Sequence, residues 1–136
     1  MAWDESSASG PLGAGSYSFN ATYSGDANYK GSTSDCEPLT VDQAATSITT
    51  EIHDDSDATI PHTPVGTAVI AGITVHDNST VSGEVSGFPI GGTIRYHFYE
   101  TNDCTGSFDD SGPLALGSES PAEGPLAAGA YSFNAS

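Results

Sequence analysis

Residues 5–21 of this chain return near its end. The segment ESSASGPLGAGSYSFNA, from Glu5 to Ala21, aligns with ESPAEGPLAAGAYSFNA, from Glu119 to Ala135. Thirteen of the 17 positions are identical, at a constant offset of 114. Chance does not produce such agreement. The 136 residues therefore read as a little more than one period of a tandem array, cut out of phase. A period near 114 suits one small β-sandwich and is far too long for a solenoid unit. The expected division is residues 1–43 as the last two strands (F and G) of one repeat. Residues 44–136 are then strands A to F of the next, lacking its own last strand.

Strand patterns support an all-β chain. In Tyr17 to Tyr23 apolar and polar residues alternate, the period-two mark of a half-buried strand. The run Thr93 to Phe98 alternates too, with Ile94, Tyr96 and Phe98 on one face and Arg95 and His97 on the other. Further strands are expected at residues 37–41, 47–52, 67–70, 73–75 and 80–82. Turn clusters separate them at residues 24–26, 91–92, 101–103 and 111–113. Ser and Thr number 33 and Gly 16, few strong helix formers remain, and no segment has amphipathic helical spacing. A helical bundle is excluded, and an antiparallel sandwich is expected.

Eighteen acidic residues face two basic ones, Lys30 and Arg95, a net charge of −16. Such a chain repels phosphate, so neither nucleic acid nor insertion into an anionic membrane is an expected partner. Cys36 and Cys104 lack the spacing of a zinc motif. They read as one disulfide in preference to two free thiols, which implies an extracytoplasmic setting. Any export signal then lies on another segment or has been removed, because residues 1–5 do not form one.

Several blocks carry a resemblance. They are Val75-His76-Asp77, Thr80 to Gly83, Gly92-Thr93-Ile94, Cys104-Thr105-Gly106 and, most specifically, Tyr23-Ser24-Gly25-Asp26-Ala27-Asn28-Tyr29. Together with residues 31–41 they resemble the bacterial Ig-like repeat domains of large surface proteins. The resemblance implies a Greek-key Ig-like sandwich serving as an extracellular stalk or adhesive spacer at the cell surface, without catalysis. Gly15-Ser16-Tyr17 and Gly129-Ala130-Tyr131 resemble the tyrosine corner of that fold, in which the phenol bonds back to the backbone. An ordinary core tyrosine is the other reading. Phe19 and Phe133 stand where antibody domains carry a second core cysteine, so a disulfide of that type is excluded.

The chemistry-bearing residues are sparse. Nucleophile motifs, phosphate loops and His-Glu-x-x-His are all missing from the sequence, and His53, His62, His76 and His97 fall on different expected strands and loops. No enzyme is expected. Asp54, Asp55 and Asp57 form the best metal candidate, hard oxygen donors in a loop that suit calcium; Asp26 is a second candidate. A solvated acidic loop with no cofactor is the alternative. A module that binds calcium, a surface glycan or a protein is the competing functional reading.

A sandwich without its last strand exposes an edge. Five residues join Val41 to Ser47, a reach of about 20 Å, whereas a strand of eight to ten residues is about 26–34 Å long. Folding back looks strained on that basis. Head-to-tail donation to another copy or a neighbouring repeat is expected, through Tyr17, Phe19, Ala21, Tyr23, Leu39 and Val41. In an array the two cysteines would pair across repeats, in free chains between molecules, and only fold-back makes the bond internal. Heterologous contacts of this kind build open filaments.

Overall fold

The computed structural model describes residues 5–56 and 62–136. The chain is all-β, with small antiparallel sheets and no helix among the described residues. Two compact units share it, one of Met1–Ala45 with Glu84–Pro89, the other of Thr46–Gly83 with Ile90–Ser136.

The first unit contains one long, interrupted hairpin. Strand β1 (Gly15–Phe19) continues into β2 (Thr22–Gly25), turns, and returns as β3 (Lys30–Thr33) and β4 (Glu37–Val41). At the turn the Asp26 carboxylate accepts the Asn28 and Tyr29 N–H groups at 2.7 and 2.8 Å. That explains why the Gly25-Asp26 cluster turns here, and it occupies Asp26 as a turn residue. Thr22 lies opposite Thr33, but Phe19 lies opposite Glu37, so the register slips by one residue between the two halves. Ser34 still donates to the Ala21 carbonyl at 2.9 Å. Asp35 and Cys36 together therefore oppose Asn20, which makes a β-bulge immediately before β4.

The second unit is built around β8. Strand β5 (Ser47–Asp54) pairs along its whole length with β6 (Val75–Ser82), bringing His53 opposite His76. The alternating run at 93–98 divides at Arg95 into β7 (Thr93–Ile94) and β8 (Tyr96–Tyr99). Strand β7 pairs with β10 (Leu114–Ala115); β8 lies between β9 (Phe108–Asp110) and β11 (Ser132–Ala135). Ile94, Tyr96 and Phe98 are all buried, as their shared face predicts, with the next residue, Tyr99. Each such side chain contributes about 1.5–3 kcal/mol of apolar burial. The buried Tyr96 hydroxyl donates to the Ser118 carbonyl at 2.7 Å and lies 2.7 Å from Ser79 Oγ on β6. This phenol thus ties the β5–β6 ribbon to the β8 sheet.

Residues 67–70 do not form the strand their apolar character predicts: Ile70 is 89% exposed and Val69 is 52% exposed. A β-prone run with no strand alongside it has no partner for its backbone groups, so propensity alone does not hold it extended.

Candidate functional site

Two features of the fold bear on function: a cluster of imidazoles and carboxylates, and the free edges of the repeated strand. The cluster forms because eight register pairs join β5 to β6 and place His53 across from His76, 5.5 Å between ring centroids. His62 lies 5.2 Å from the His76 ring, just before residues 63–65, which pair with the end of β5: the Asp54 N–H donates to the Thr63 carbonyl at 2.8 Å and the Val65 N–H to the Ile52 carbonyl at 2.9 Å. Asp55 sits just past the end of β5, and its Oδ1 lies 3.2 Å from both His62 Nδ1 and His76 Nδ1. His76 is only 1% exposed, and its Nε2 makes no hydrogen bond among the described residues. Glu119 Oε2 stands 3.4 Å from that nitrogen. His53 Nε2 lies 2.8 Å from Glu51 Oε1.

Asp77 is fully buried beside this cluster, with neither carboxylate oxygen hydrogen-bonded among the described residues. Burial pushes its pKa up to about 6, while the backbone N–H of Asn78 and, less, the nearby His53 pull the other way. Its backbone is well held: the Asp77 N–H donates to Ser120 Oγ at 2.7 Å, and Ser120 N–H donates to the Asp77 carbonyl at 2.9 Å.

Of the residues expected to hold calcium, Asp54 ends β5 and Asp55 follows it. Asp54 Oδ1 accepts the Ser56 N–H at 2.7 Å, as in an Asx turn, and Asp57 lies outside the described residues. Asp55 instead joins two histidines. These histidines, scattered in the sequence, meet because the β5–β6 register and the pairing of residues 63–65 with the end of β5 bring them together. The spacing of the histidines carries no sign of it, and the strands expected at 47–52 and 73–75 each stop one residue short of His53 and His76.

A second charged group joins Arg95, between β7 and β8, to Asp110 at the end of β9, with His97 Nε2 3.7 Å from Asp110 Oδ1. The Arg95 guanidinium makes two bonds to the Asp110 carboxylate, one of 2.7 Å from Nε, and Asp110 also accepts the Gly112 N–H at 2.9 Å. The Arg95 bond holds the Asp110 carboxyl well below the usual range. This is a bidentate guanidinium–carboxylate contact, on an arginine side chain that stays about half exposed.

Of the expected donor residues, Tyr17 and Phe19 lie in β1, Tyr23 in β2, Leu39 and Val41 in β4, and Ala21 between β1 and β2. Strands β1 and β4 pair with each other, Tyr17 opposite Leu39 and Phe19 opposite Glu37. Strand β4 has five residues and β11 four, well short of the eight to ten assumed in the reach argument. At about 3.3 Å per residue such strands span only about 13–17 Å, so the short link to Ser47 does not by itself exclude folding back.

The repeat makes β1 and β11 the same strand in two settings. Arg95 and Ser136 exchange both backbone bonds at 2.9 Å, which fixes the alternation along β8–β11. His97↔Asn134 and Tyr99↔Ser132 are then the bonded pairs, while the N–H and C=O of Phe133 and Ala135 point away from β8. On the first unit Pro38, which has no N–H, faces Ser18. The bonded pairs there must be Tyr17↔Leu39 and Phe19↔Glu37. Phe19 thus turns toward β4 the same groups that its counterpart Phe133 turns toward the outer edge of β11, where the carbonyl accepts the Cys104 thiol.

Cys36 and Cys104 are both free thiols in this chain; the disulfide expected between them is not formed within it. The Cys104 Sγ–H donates to the Phe133 carbonyl at 3.3 Å, at the free edge of β11. Cys36 lies in the bulge that precedes β4.

Comparison of the chain with family models, with curated proteins and with solved structures gives no match.

Proposed function

We propose that the chain is a non-enzymatic, extracellular structural repeat, of the Ig-like sandwich type, whose sheets are completed by a strand from a neighbouring repeat or a second copy. The carrying observation is the double setting of one repeated strand. As β1 it is bonded to β4, and as β11 it is bonded to β8 on the opposite edge. Superposing the two settings gives a composite sheet of order β9-β8-β11-β4, in which both edges of the shared strand are used. Each unit holds the part of that sheet the other lacks.

The side chains agree with the composite. Leu39 is 43% exposed and lies opposite Tyr17, whose counterpart Tyr131 stacks on Phe98 with centroids 5.6 Å apart. A β4 strand on β11 would therefore lay Leu39 and Val41 beside an aromatic surface that already exists. Exchange between free chains replaces the β1–β4 register with a like one on β11, because the two strands have nearly the same sequence. In a continuous array no exchange is needed, since β1 is the β11 of the preceding repeat.

The same register places the bulge cysteine opposite Asn134, next to the Phe133 carbonyl that already holds Cys104. Pairing of Cys36 with Cys104 of a neighbour would then lock the junction, and serial junctions of this heterologous kind form filaments. The test is a denaturing, non-reducing gel of oxidised protein with mass spectrometry of the linked peptides. A ladder joined by Cys36–Cys104 between chains is the expected result. Monomers in which both thiols stay free, or links only between two Cys36 residues, would overturn the reading.

A further inference from the structure

We propose that Asp55, His62 and His76 bind one divalent transition-metal ion of the zinc class at the end of the β5–β6 ribbon. The donor atoms of the three residues all lie within 4.8 Å of one another. Bonds of about 2.0–2.1 Å in a tetrahedral site place neighbouring ligand atoms about 3.3 Å apart. Asp55 Oδ1 meets that separation with both histidines, at 3.2 Å each. One carboxylate oxygen and two imidazole nitrogens form a donor set suited to zinc, nickel or copper rather than to calcium, which takes six to eight oxygens.

The outer shell has the arrangement such a site needs. A ligating histidine hands its second ring N–H to a carboxylate, which fixes the tautomer and raises the basicity of the ligand nitrogen. His76 presents Nδ1 to Asp55 and turns its buried, otherwise unbonded Nε2 toward Glu119 Oε2 at 3.4 Å. With Nδ1 ligating, the tautomer is fixed and the orphaned nitrogen gains its role. Asp55 and His62 are partly exposed, with side chains 29% and 19% accessible, so an ion can enter from solvent and a water can take the fourth position. The net charge of −16 raises the local concentration of cations around the whole surface.

The experiment uses the protein free of any histidine tag, stripped with chelator and titrated with zinc at neutral pH by calorimetry. One equivalent should bind, and at a free concentration a hundredfold above Kd the melting temperature should rise by about 5 °C or more. Cobalt in place of zinc should show the visible absorption of a tetrahedral centre. His62→Ala and Asp55→Asn, neither of which empties the core, should each weaken binding at least about tenfold with the fold retained by circular dichroism. Glu119→Gln should weaken it about tenfold through the outer shell. No zinc binding to folded protein, binding unchanged in His62→Ala, or a calcium response with no zinc response would each overturn the proposal. None of these outcomes depends on strand exchange, so the site stands or falls separately from the array.

Discussion

Tyr17 and Tyr131 donate the same hydrogen bond, to the carbonyl four residues upstream, at 2.7 and 2.9 Å. Two residues further on the copies part. Phe19 is 42% exposed, whereas Phe133 packs on Phe98 with centroids 4.9 Å apart. Ser6 is exposed, whereas Ser120 is buried against Asp77. Gly10 and Gly124 have nearly equal φ values, 144° and 141°, yet only Gly124 lies against another backbone segment, at Ile73 and Thr74. The shared 17-residue pattern thus dictates the local corner in both places, and its burial is supplied by what runs alongside. In the second unit residues 120–126 run antiparallel to Ile73–Asp77, with Val75 and Glu123 exchanging both backbone bonds.

Paired substitutions sharpen the contrast. Phe133→Ala should cost about 2–4 kcal/mol of stability in the second unit, against about 1 kcal/mol or less for Phe19→Ala in the first. Urea unfolding with exchange-resolved readout of each unit measures the difference, and equal losses would break it. Gly124→Ala comes next. Its Cβ would meet Ile73 O at 2.7 Å and Thr74 Cα at 2.8 Å, while that of Gly10→Ala meets nothing closer than Leu12 N at 3.4 Å. Both share the strain of positive φ, so an excess of about 1–3 kcal/mol for Gly124→Ala isolates the clash.

Ser120→Ala leaves the buried Asp77 N–H without its acceptor and should cost about 1–3 kcal/mol, where Ser6→Ala costs almost nothing. Amide exchange at Asp77 would report the loss directly. The smallest contrast is Tyr131→Phe against Tyr17→Phe. Each removes one phenol hydrogen bond, worth about 0.5–1.5 kcal/mol, and the two losses should agree within about 0.5 kcal/mol. A large disagreement would mean that the corner is not a local device.

The same contrast separates what was legible in the sequence from what was not. The repeat, the Tyr corner, the Ser24-Gly25-Asp26 turn and the buried face Ile94-Tyr96-Phe98 all rest on neighbours within a few positions, and all are present. The split of residues 93–98 at Arg95 was not legible, because it reflects partners, β10 on one side and β9 with β11 on the other. Residues 67–70 failed as a strand for the same reason: alternation and apolarity need a neighbouring backbone. The cluster of Asp55, His62 and His76 required the β5–β6 register and the pairing of residues 63–65 with the end of β5, neither of which residue spacing encodes. The sequence reading grouped Asp55 with Asp54 and Asp57, its neighbours along the chain, whereas the fold sets it beside His62 and His76.

The composite sheet is tested most directly by supplying the strand that β11 would receive. Residues 22–41 appended after residue 135 continue the repeat in register and offer a second β4 to the free edge. The amide exchange of Phe133 and Ala135, whose N–H groups point away from β8, is then compared with that of the unmodified chain. The expected result is at least about tenfold slower exchange at both, with the appended cysteine forming a disulfide to Cys104 inside one chain. Unchanged exchange at Phe133 and Ala135, with the appended residues unprotected, would contradict the composite sheet.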